Sequence, residues 1–585
     1  MRERLFLFFL ILGFGILLVR LFTLQILQGE YYWKLAEGNR IKTTKIPALR
    51  GVIYDRQNKL LVRNTPEGRE YLAGPALSHV LGYVGEISQE ELEDCKLALS
   101  GTFSFLAPKT NLKSATDFFS VNKREQASKT YELDKEVFKN CPYHAGDLVG
   151  KMGIEQSYDW VLRGVDGGVL EEVDAEGQLV RKLGERKPVA GKNLQLTLDL
   201  GLQQKIAELL SKEKKAAAVA TVPQTGEVLA LVSQPTFDPN LFTIHLREAS
   251  GSQQLASLLN HPDQPLFNRA IAGQYPPGST FKIVTALAGL AEGKLTAQTK
   301  IEDAGQITLG RWTYANWYYK QYGKTEGQLT VVSALKRSND IFFYRLGEWL
   351  GIEKLSSWAH RFGLGEFLGI DLWGEAKGLV PDKNWKRTVK NEDWFTGDDF
   401  ITAIGQGDLL ATPLQINLMT GVVANGGRLC RPTLIQNAKS KDQKNDFYET
   451  ERAKNNECRD LGIKKEDLDL LKEGMREACE TGGTGWPFFK FKIQNAKIKI
   501  DDKNYFAREA SDSADTVYVP VACKTGTAEA PGTKDTKAHA WFTVFAPLAE
   551  PEIVLTVLVE NGGEGSSVAG PLAKEILKWW FEEKR

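Results

Sequence analysis

The stretch Tyr275-Pro-Pro-Gly-Ser-Thr-Phe-Lys282 joins a break in the chain to the start of an apolar helix. Two prolines and a glycine interrupt regular structure, and the mostly apolar residues 283–287 continue the chain as a buried helical pattern. Positions three apart share one face of a helix, so Lys282 lies within reach of the Ser279 hydroxyl. Because a serine becomes a nucleophile when a neighbouring base takes its proton, the stretch predicts Ser279 as nucleophile and Lys282 as base. A helix N-cap would also account for this serine.

The pattern Ser-x-x-Lys is short, and the chain contains it four times, beginning at Ser120, Ser211, Ser279 and Ser333. The copies at Ser120 and Ser211 lie in lysine-rich stretches, which are typical of a solvated surface. The copy at Ser333 lies within a helical pattern. Only the copy at Ser279 has a chain-breaking entry and a buried continuation, so the other three are interpreted as structural.

A second motif, Ser338-Asn-Asp340, lies between two helical patterns, 331–337 and 341–350. A turn between helices is a rigid place from which short polar side chains can point into a cleft. Helix capping by Ser338 or Asp340 is the structural alternative.

A third motif, Lys524-Thr-Gly-Thr527, ends an apolar run with the alternation of a strand. Alternation places Lys524 and Gly526 on one face, with Thr525 and Thr527 on the other. A glycine inside a strand indicates close approach of another backbone. An edge-strand charge would explain Lys524 alone, but it would not explain three such motifs in this order.

The three motifs resemble the serine active site of the β-lactamases and penicillin-binding proteins. The resemblance extends over most of the chain, which is similar to class B penicillin-binding proteins and specifically to the elongation-type penicillin-binding protein 2 family. The segments that carry this wider resemblance are 50–56, 79–85, 153–158, 162–164, 405–407 and 412–415.

The resemblance implies acyl transfer in two steps, without a cofactor. Ser279 would attack the carbonyl between two terminal D-alanines of a peptidoglycan stem peptide and release one D-alanine. The acyl group would then pass to an amine of a neighbouring stem peptide, which makes a cross-link. β-Lactams would acylate the same serine because they mimic the D-alanyl end.

The resemblance also implies roles for the remaining motif residues. Lys282 must be neutral to act as base, and positive charge on Lys524 would lower its pKa. Ser338 would carry protons towards the leaving amine. Backbone N–H groups of Ser279 and Thr527 would form an oxyanion hole. The residues implied to contact the substrate are Asp340, Thr525, Gly526 and Thr527.

The chain departs from the family pattern at several places. Asp340 stands where most relatives have asparagine, and this favours the elongation type. The head region between Asn64 and His79 is short, and a charged insertion, 86–141, follows it. Residues 487–516, rich in lysine and aspartate, lengthen the approach to the third motif.

Length and composition limit the other possibilities. At 585 residues the chain holds more than one domain, and its formal net charge of zero gives no indication of nucleic-acid binding. The six histidines are scattered without the spacing of metal ligands, so no metal site is expected. No glycine-rich phosphate loop is present.

The N-terminus predicts a membrane anchor. Residues 5–19 are uninterrupted apolar chain, and 21–27 continue it after Arg20, so the segment approaches the ~20 residues of a spanning helix. Arg2 and Arg4 favour a cytoplasmic N-terminus with the body exported across the inner or plasma membrane. The resemblance implies, as partner, a polytopic glycosyltransferase of the shape, elongation, division and sporulation family.

The pattern of elements predicts an α+β protein. We expect a cytoplasmic tip and anchor over 1–28, an elongated mixed pedestal similar to a dimerisation domain over 29–190, and a penicillin-binding transpeptidase domain over 191–585. Predicted strands at both ends of the last region, with helices between them, indicate a sheet covered by helices. The resemblance implies a five-stranded antiparallel sheet with a helical subdomain, similar to serine β-lactamases. Its predicted strands are 216–222, 227–232, 516–527, 540–546 and 553–560.

The sequence leaves some alternatives open. The six cysteines form no C-x-x-C pair, and spacing does not assign disulfide partners. Cys523 is interpreted as a small buried hydrophobic residue rather than a second nucleophile. For function, the alternatives are a division-specific transpeptidase, a D,D-carboxypeptidase or β-lactamase, and a catalytically silent β-lactam sensor or scaffold.

Overall fold

The structure is a computed structural model. It describes residues 2–31, 41–99, 141, 143–174, 176, 178–243, 249–436, 458–494, 516–530 and 536–583. The chain divides into two compact units, one formed by residues 1–51 and 160–192, the other by residues 52–159 and 193–585. All three sequence motifs lie in the second unit.

The first unit contains an exposed apolar helix and a three-stranded antiparallel sheet. The helix Arg2–Phe22 continues as a π-helical turn, Thr23–Leu27. The span Leu5–Leu27 has a mean hydropathy of 2.7 and is not buried against the protein. It is therefore long and apolar enough to cross a membrane, as the sequence predicts. In the sheet, Gly167–Val173 lies between Ile41–Ile46 and Leu179–Arg186.

The second unit is built around the predicted five-stranded antiparallel sheet, here called the central sheet. Its strands in spatial order are Val228–Gln234, Ala216–Thr221, Ile553–Val559, His539–Ala546 and Ala522–Ala528. The first two form the predicted hairpin. The strand that carries the Lys-Thr-Gly motif lies at one edge of the sheet, so only one of its sides is paired with another strand of the sheet.

Helices cover both faces of the central sheet, so its residues are almost all buried. On one face pack the helices Leu200–Leu210 and Ala569–Glu583, through apolar residues spaced three or four apart such as Leu202, Ile206 and Leu210. On the other face pack Lys282–Ala291, Asp340–Arg361 and Pro413–Ala424. The serine motif and the Ser338 turn belong to this second layer.

The other helices of the described residues complete the layers and loops. They are Ser78–Leu81, Gln89–Leu99, Gly153–Ser157, Asp159–Leu162, Ala249–Leu259, Arg269–Ala272, Trp317–Tyr322, Val331–Arg337, Lys383–Trp385, Thr396–Ala403 and Lys465–Ala478. Single turns of 3-10 helix are Gly74–Leu77, Pro239–Phe242, Gly278–Thr280 and Trp486–Phe488, and Lys386–Lys390 is a π-helical turn.

The small sheets of the second unit are mostly two-stranded. A four-stranded sheet has the order Gly68–Tyr71, Leu60–Thr65, Ile53–Tyr54 and Leu194–Gln195. The two-stranded pairs are Val84–Glu86 with Leu148–Gly150, Ile301–Asp303 with Gly327–Leu329, Gln306–Leu309 with Trp312–Ala315, Arg428–Cys430 with Cys458–Asp460, and Lys492–Gln494 with Thr516–Tyr518.

The predicted strand 516–527 is two strands. Thr516–Tyr518 pairs with Lys492–Gln494, whereas Ala522–Ala528 joins the central sheet. Pro520 lies between them, and a proline cannot donate a backbone hydrogen bond to a neighbouring strand. The prediction of one continuous strand was therefore wrong, although its second half carries the motif as expected.

All six cysteines form disulfides: Cys95–Cys141, Cys430–Cys458 and Cys479–Cys523. Cys523 is buried, as predicted, but it is not a free hydrophobic side chain. Its disulfide links the end of the helix Lys465–Ala478 to the strand Ala522–Ala528, directly beside Lys524. The disulfide therefore fixes Cys523, the residue before Lys524, at the edge of the central sheet.

Candidate active site

Ser279 lies in the turn Gly278–Thr280, directly before the buried helix Lys282–Ala291. The turn is held at both ends. The Gly278 N–H donates to the Gly405 carbonyl at 2.8 Å, and the Thr280 hydroxyl donates to the Pro277 carbonyl at 2.8 Å. Ser279 itself is partly exposed, so its hydroxyl is accessible from outside.

Two glycines let this turn lie directly against the edge strand of the central sheet. A Cβ atom on Gly526 would stand 2.9 Å from the Pro277 carbonyl oxygen. A Cβ atom on Gly278, whose φ is +54°, would stand 2.9 Å from the Thr527 carbonyl oxygen. Any larger residue at either position would push the turn and the strand apart, which explains the close approach that the sequence predicted at Gly526.

The middle motif forms a tight turn between two helices. Ser338 adopts the left-handed conformation (φ 52°) at the end of Val331–Arg337. The next residue, Asn339, accepts a hydrogen bond from the Phe342 N–H and so caps the helix Asp340–Arg361. Non-glycine residues rarely adopt positive φ. Ser338 is held in this conformation because it ends one helix while Asn339 caps the start of the next. Ser338 is thereby held with its side chain buried in the cleft.

The two motif lysines meet at Ser338. Lys282 Nζ donates to the Ser338 carbonyl at 2.7 Å and to Asp340 Oδ1 at 2.7 Å, and it lies 3.5 Å from Ser338 Oγ. Lys524 Nζ donates to Ser338 Oγ at 2.8 Å and to the Thr525 carbonyl at 3.0 Å. The Ser338 hydroxyl therefore stands between the two amines.

Burial acts on the pKa of both lysines, since neither side chain is exposed. It lowers the pKa of Lys282 from its ordinary value, while the Asp340 carboxylate opposes the shift. It lowers the pKa of Lys524 well below its ordinary range, and the charge of Lys282 adds to this effect. Asp340 therefore favours the ammonium form of Lys282, and Lys524 is the amine driven towards neutrality.

Lys282, the predicted base, makes no hydrogen bond to Ser279 in this structure. Of the side chains that the structure describes, none lies within hydrogen-bond distance of the Ser279 hydroxyl. Lys282 directs its amine towards Ser338 and Asp340 instead. In substrate-free enzymes such bonds are often long and tighten only when the substrate binds.

The backbone of Thr527 faces out from the edge of the central sheet. Its carbonyl accepts a hydrogen bond from Gln406 Nε2 at 3.0 Å, on the side away from the paired strand. In an extended strand the N–H and C=O of one residue point to the same side. The Thr527 N–H therefore points to the side on which the serine turn lies, as an oxyanion-hole donor requires.

The side chains of the edge strand alternate as predicted. Lys524 and Gly526 face the Ser338 turn and the serine turn. On the opposite face, the Thr525 hydroxyl donates to Thr484 Oγ1 at 2.9 Å and Thr527 Oγ1 accepts from the Gly565 N–H at 3.3 Å. Thr527 is exposed, whereas Thr525 is 7% exposed, so the Thr527 hydroxyl is the more accessible of the two.

Asn316 and Trp317, which lie outside the three motifs, hold Asp340 in place. The Trp317 N–H donates to Asp340 Oδ2 at 3.0 Å, and Asn316 Oδ1 accepts from the Asp340 N–H at 3.1 Å. Asn316 is fully buried, and no spacing along the chain pointed to it. Gln406 belongs to the segment 405–407 that carries part of the resemblance, and its contact with Thr527 places this segment at the site.

The cleft as a whole offers the Ser279 and Ser338 hydroxyls, two amines, one carboxylate and outward backbone N–H groups. Among the described residues, no group of three or more His, Cys, Asp or Glu side chains could hold a metal ion. The Trp317 indole N–H donates to the Arg337 carbonyl at 3.0 Å beside the middle motif. These groups suffice for nucleophilic attack and proton transfer at a carbonyl.

Family models match most of the chain, and curated relatives match nearly all of it. Residues 216–578 match the penicillin binding protein transpeptidase domain, and residues 121–196 match the penicillin-binding protein dimerisation domain. The peptidoglycan D,D-transpeptidase MrdA of Haemophilus influenzae is 31% identical over 615 residues, covering 97% of this chain and 90% of that protein. MrdA of Escherichia coli K12 is 32% identical over 604 residues, covering 96% and 91%.

Solved structures of penicillin-binding protein 2 and of a peptidoglycan synthase complex also match nearly the whole chain. The crystal structure of Pseudomonas aeruginosa PBP2 in complex with WCK 5153 matches with a TM-score of 0.67 at 30% identity, covering 92% of this chain and 96% of that one. PBP2 of Helicobacter pylori in complex with MreC matches with a TM-score of 0.68 at 26% identity, covering 92% and 98%. A chain of a peptidoglycan synthase complex that coordinates polymerization and crosslinking matches with a TM-score of 0.64 at 27% identity, covering 99% and 98%.

Proposed function

This chain belongs to the penicillin-binding proteins of the peptidoglycan D,D-transpeptidase type, the penicillin-binding protein 2 family, and we propose that it cross-links stem peptides during cell elongation. The observation that carries the proposal is the assembly of three distant motifs around one cleft, with Ser338 between Lys282 and Lys524. A silent sensor or scaffold has no need of two buried amines at one hydroxyl. The named relatives favour transpeptidation in elongation over the septal, carboxypeptidase and β-lactamase alternatives.

The proposed reaction starts at Ser279. Its oxygen forms an ester with the carbonyl of the penultimate D-alanine, the peptide C–N bond breaks, and the terminal D-alanine leaves with the proton. The amine of a second stem peptide then attacks the ester, forms a new peptide bond and returns the proton to Ser279. β-Lactams follow the first half of this sequence and remain attached to Ser279.

We propose that Lys282 first passes its proton through Ser338 to Lys524 and, once neutral, takes the proton of Ser279. Ser338 Oγ is the only hydroxyl between the amines in the described part of the cleft, at 3.5 Å from one and 2.8 Å from the other. Because burial disfavours charge on both lysines, the pair holds one positive charge more readily than two. The apparent pKa values of such a pair belong to both groups together.

We propose that the N–H groups of Ser279 and Thr527 stabilise the oxyanion that forms on the attacked carbonyl. The outward direction of the Thr527 carbonyl and the contact of the serine turn with that strand support this assignment. Thr525, Gly526, Thr527 and Asp340 would border the substrate, with the exposed Thr527 hydroxyl nearest to solvent. Thr525 would have to turn its hydroxyl away from Thr484 to bind a carboxylate.

The chain acts with the cell-wall machinery, and its described residues include one apolar helix that fits a membrane anchor. We propose that Arg2 and Arg4 keep the N-terminus in the cytoplasm, with the catalytic domain on the far side of the inner or plasma membrane. Three disulfides support an oxidising compartment for the body of the protein. A polytopic glycosyltransferase remains the proposed partner. The division into anchor 1–28, pedestal 29–190 and transpeptidase domain 191–585 also remains a proposal.

The test is covalent labelling of the full chain in detergent by a fluorescent penicillin. We expect Ser279→Ala to abolish labelling because the ester oxygen is gone. Ser211→Ala is the matched control, since Ser211 begins another Ser-x-x-Lys copy at an exposed helix end, and it should label normally. Labelling of Ser279→Ala would show that another residue is the nucleophile. Release of D-alanine from stem peptides without any cross-linked product would favour a carboxypeptidase.

A further inference from the structure

The second unit contains an open cleft on the helical subdomain, here called the basic cleft. It has a volume of about 970 Å³ and lies where the helix Asp340–Arg361 ends and the hairpin of Arg428–Cys430 and Cys458–Asp460 begins. Its lining includes Arg361, Arg431 and Arg459. The same helix begins at the active site, and its 22 residues would span roughly 30 Å if it were straight. A break in helical geometry at Gly351 shortens that distance, but the basic cleft and the active site still lie at opposite ends of the helix.

Backbone carbonyls and an aromatic ring hold the arginines in position. The Arg361 guanidinium stacks on the Trp358 ring, 3.8 Å from its centroid, and donates to the Leu461 carbonyl. Arg459 donates to the Arg361 carbonyl at 3.1 Å, and Arg431 donates through Nε to the Gly369 carbonyl at 2.8 Å. A guanidinium has five N–H donors, so the one carbonyl that Arg361 and Arg459 each contact leaves most of their donors for another acceptor.

The positive charge of the basic cleft is not balanced by its own lining. Among the described residues, neither Arg361 nor Arg459 has a carboxylate within 4.0 Å. Glu366 is the one acidic residue of the described lining, and its Oε1 lies 3.0 Å from His360 Nδ1. The nearby Glu292 is already engaged, because it binds Lys354 at 2.7 Å and the Trp358 indole N–H at 3.0 Å.

We propose that the basic cleft is a binding site for a molecule that carries a carboxylate or phosphate group. Arginine forks pair with both of these planar or tetrahedral oxyanions through parallel hydrogen bonds. The apolar part of the lining, Phe367, Leu368 and Leu429, would cover the carbon body that carries the anion. The site is distinct from the proposed catalytic cleft and does not depend on the function assigned to that cleft.

The test is a binding titration of the full chain in detergent at constant ionic strength, followed by calorimetry. Two probes are used separately: inorganic phosphate and the dicarboxylate glutarate. We expect saturable binding of at least one probe, and a dissociation constant raised about tenfold or more by Arg361→Gln or by Arg459→Gln. The probe with the lower dissociation constant identifies whether the site prefers phosphate or carboxylate.

The control is Arg428→Gln, which removes the same charge from an exposed arginine of the same hairpin outside the lining. It should bind as the unaltered chain does. Arg361→Gln also removes a contact with the Leu461 carbonyl, so the exposed Arg459 provides a second variant with less structural risk, and thermal unfolding identifies any variant that fails to fold. Failure of both probes to bind, or equal weakening by Arg428→Gln and Arg459→Gln, would overturn the proposal.

Discussion

Asp340→Asn removes the only carboxylate that contacts Lys282 in the described cleft, and it tests how the two lysines share charge. Asp340 Oδ1 lies 2.7 Å from Lys282 Nζ. Asparagine has nearly the same shape, so its carbonyl can still accept from the Trp317 N–H while its amide faces the amine. The substitution therefore changes charge with little change in packing.

The magnitude follows from the distance. At an effective dielectric constant of about 20, two charges at the 2.7 Å separation attract by about 6 kcal/mol. One pKa unit corresponds to about 1.4 kcal/mol, so even a quarter of that attraction would lower the pKa of Lys282 by about one unit. The direction is fixed because a carboxylate stabilises the ammonium form and its loss favours the neutral amine.

The assay is the second-order rate of acylation by a fluorescent penicillin, measured from low to high pH. Lys282 must be neutral to take the Ser279 proton, so the acidic limb of the profile reports its apparent pKa. We expect Asp340→Asn to move that limb to lower pH by about one unit or more, with a rate up to about tenfold higher per unit on the limb itself. Asp393→Asn, an exposed aspartate paired with Arg387, is the control and should leave the limb in place. A limb that stays in place or moves to higher pH in Asp340→Asn would refute the proposed charge sharing.

Two further substitutions test how the site is held. Gly526→Ala should reduce the acylation rate by about 10²-fold, because its Cβ would meet the Pro277 carbonyl oxygen at 2.9 Å and displace the serine turn; Gly421→Ala, which meets nothing within 4 Å, is the control and should acylate normally. Equal rates for both variants would contradict the close packing. Replacing Cys479 and Cys523 by alanine should lower the free energy of unfolding by about 4 kcal/mol for a loop of 44 residues, measured with denaturant under oxidising conditions. An unchanged unfolding midpoint would show that the disulfide does not restrain the edge strand.

Much of the site was predictable because most of its reactive residues belong to short sequence motifs. The turn at Ser338, the alternation of Lys524 and Gly526, and the close approach at Gly526 all follow from local backbone rules. The structure brings Lys282, Ser338 and Lys524 together as the resemblance implied. Spacing along a helix, however, says which residues share a face and not which rotamer a lysine adopts. It therefore did not predict that Lys282 would face Asp340 rather than Ser279.

The remaining features depend on contacts between distant parts of the chain. Asn316 and Trp317 approach Asp340 only because the short helix Trp317–Tyr322 packs beside the middle motif. The pairing of Cys479 with Cys523 likewise requires the fold that brings a helix end to the central sheet. The break at Pro520 is the exception, because the residue type alone indicates it: a proline interrupts a strand that the surrounding apolar run would otherwise continue.

The edge position of the strand Ala522–Ala528 has a consequence for how the enzyme tolerates diverse donors. An edge strand presents unpaired backbone N–H and C=O groups. An extended peptide that lies beside it is bound through hydrogen bonds to the peptide's own backbone. Such recognition does not depend on which side chains the peptide carries. We expect the cleft to recognise the D-alanyl end of the donor stem peptide. Residues of that peptide further from this end can then vary at little cost in affinity.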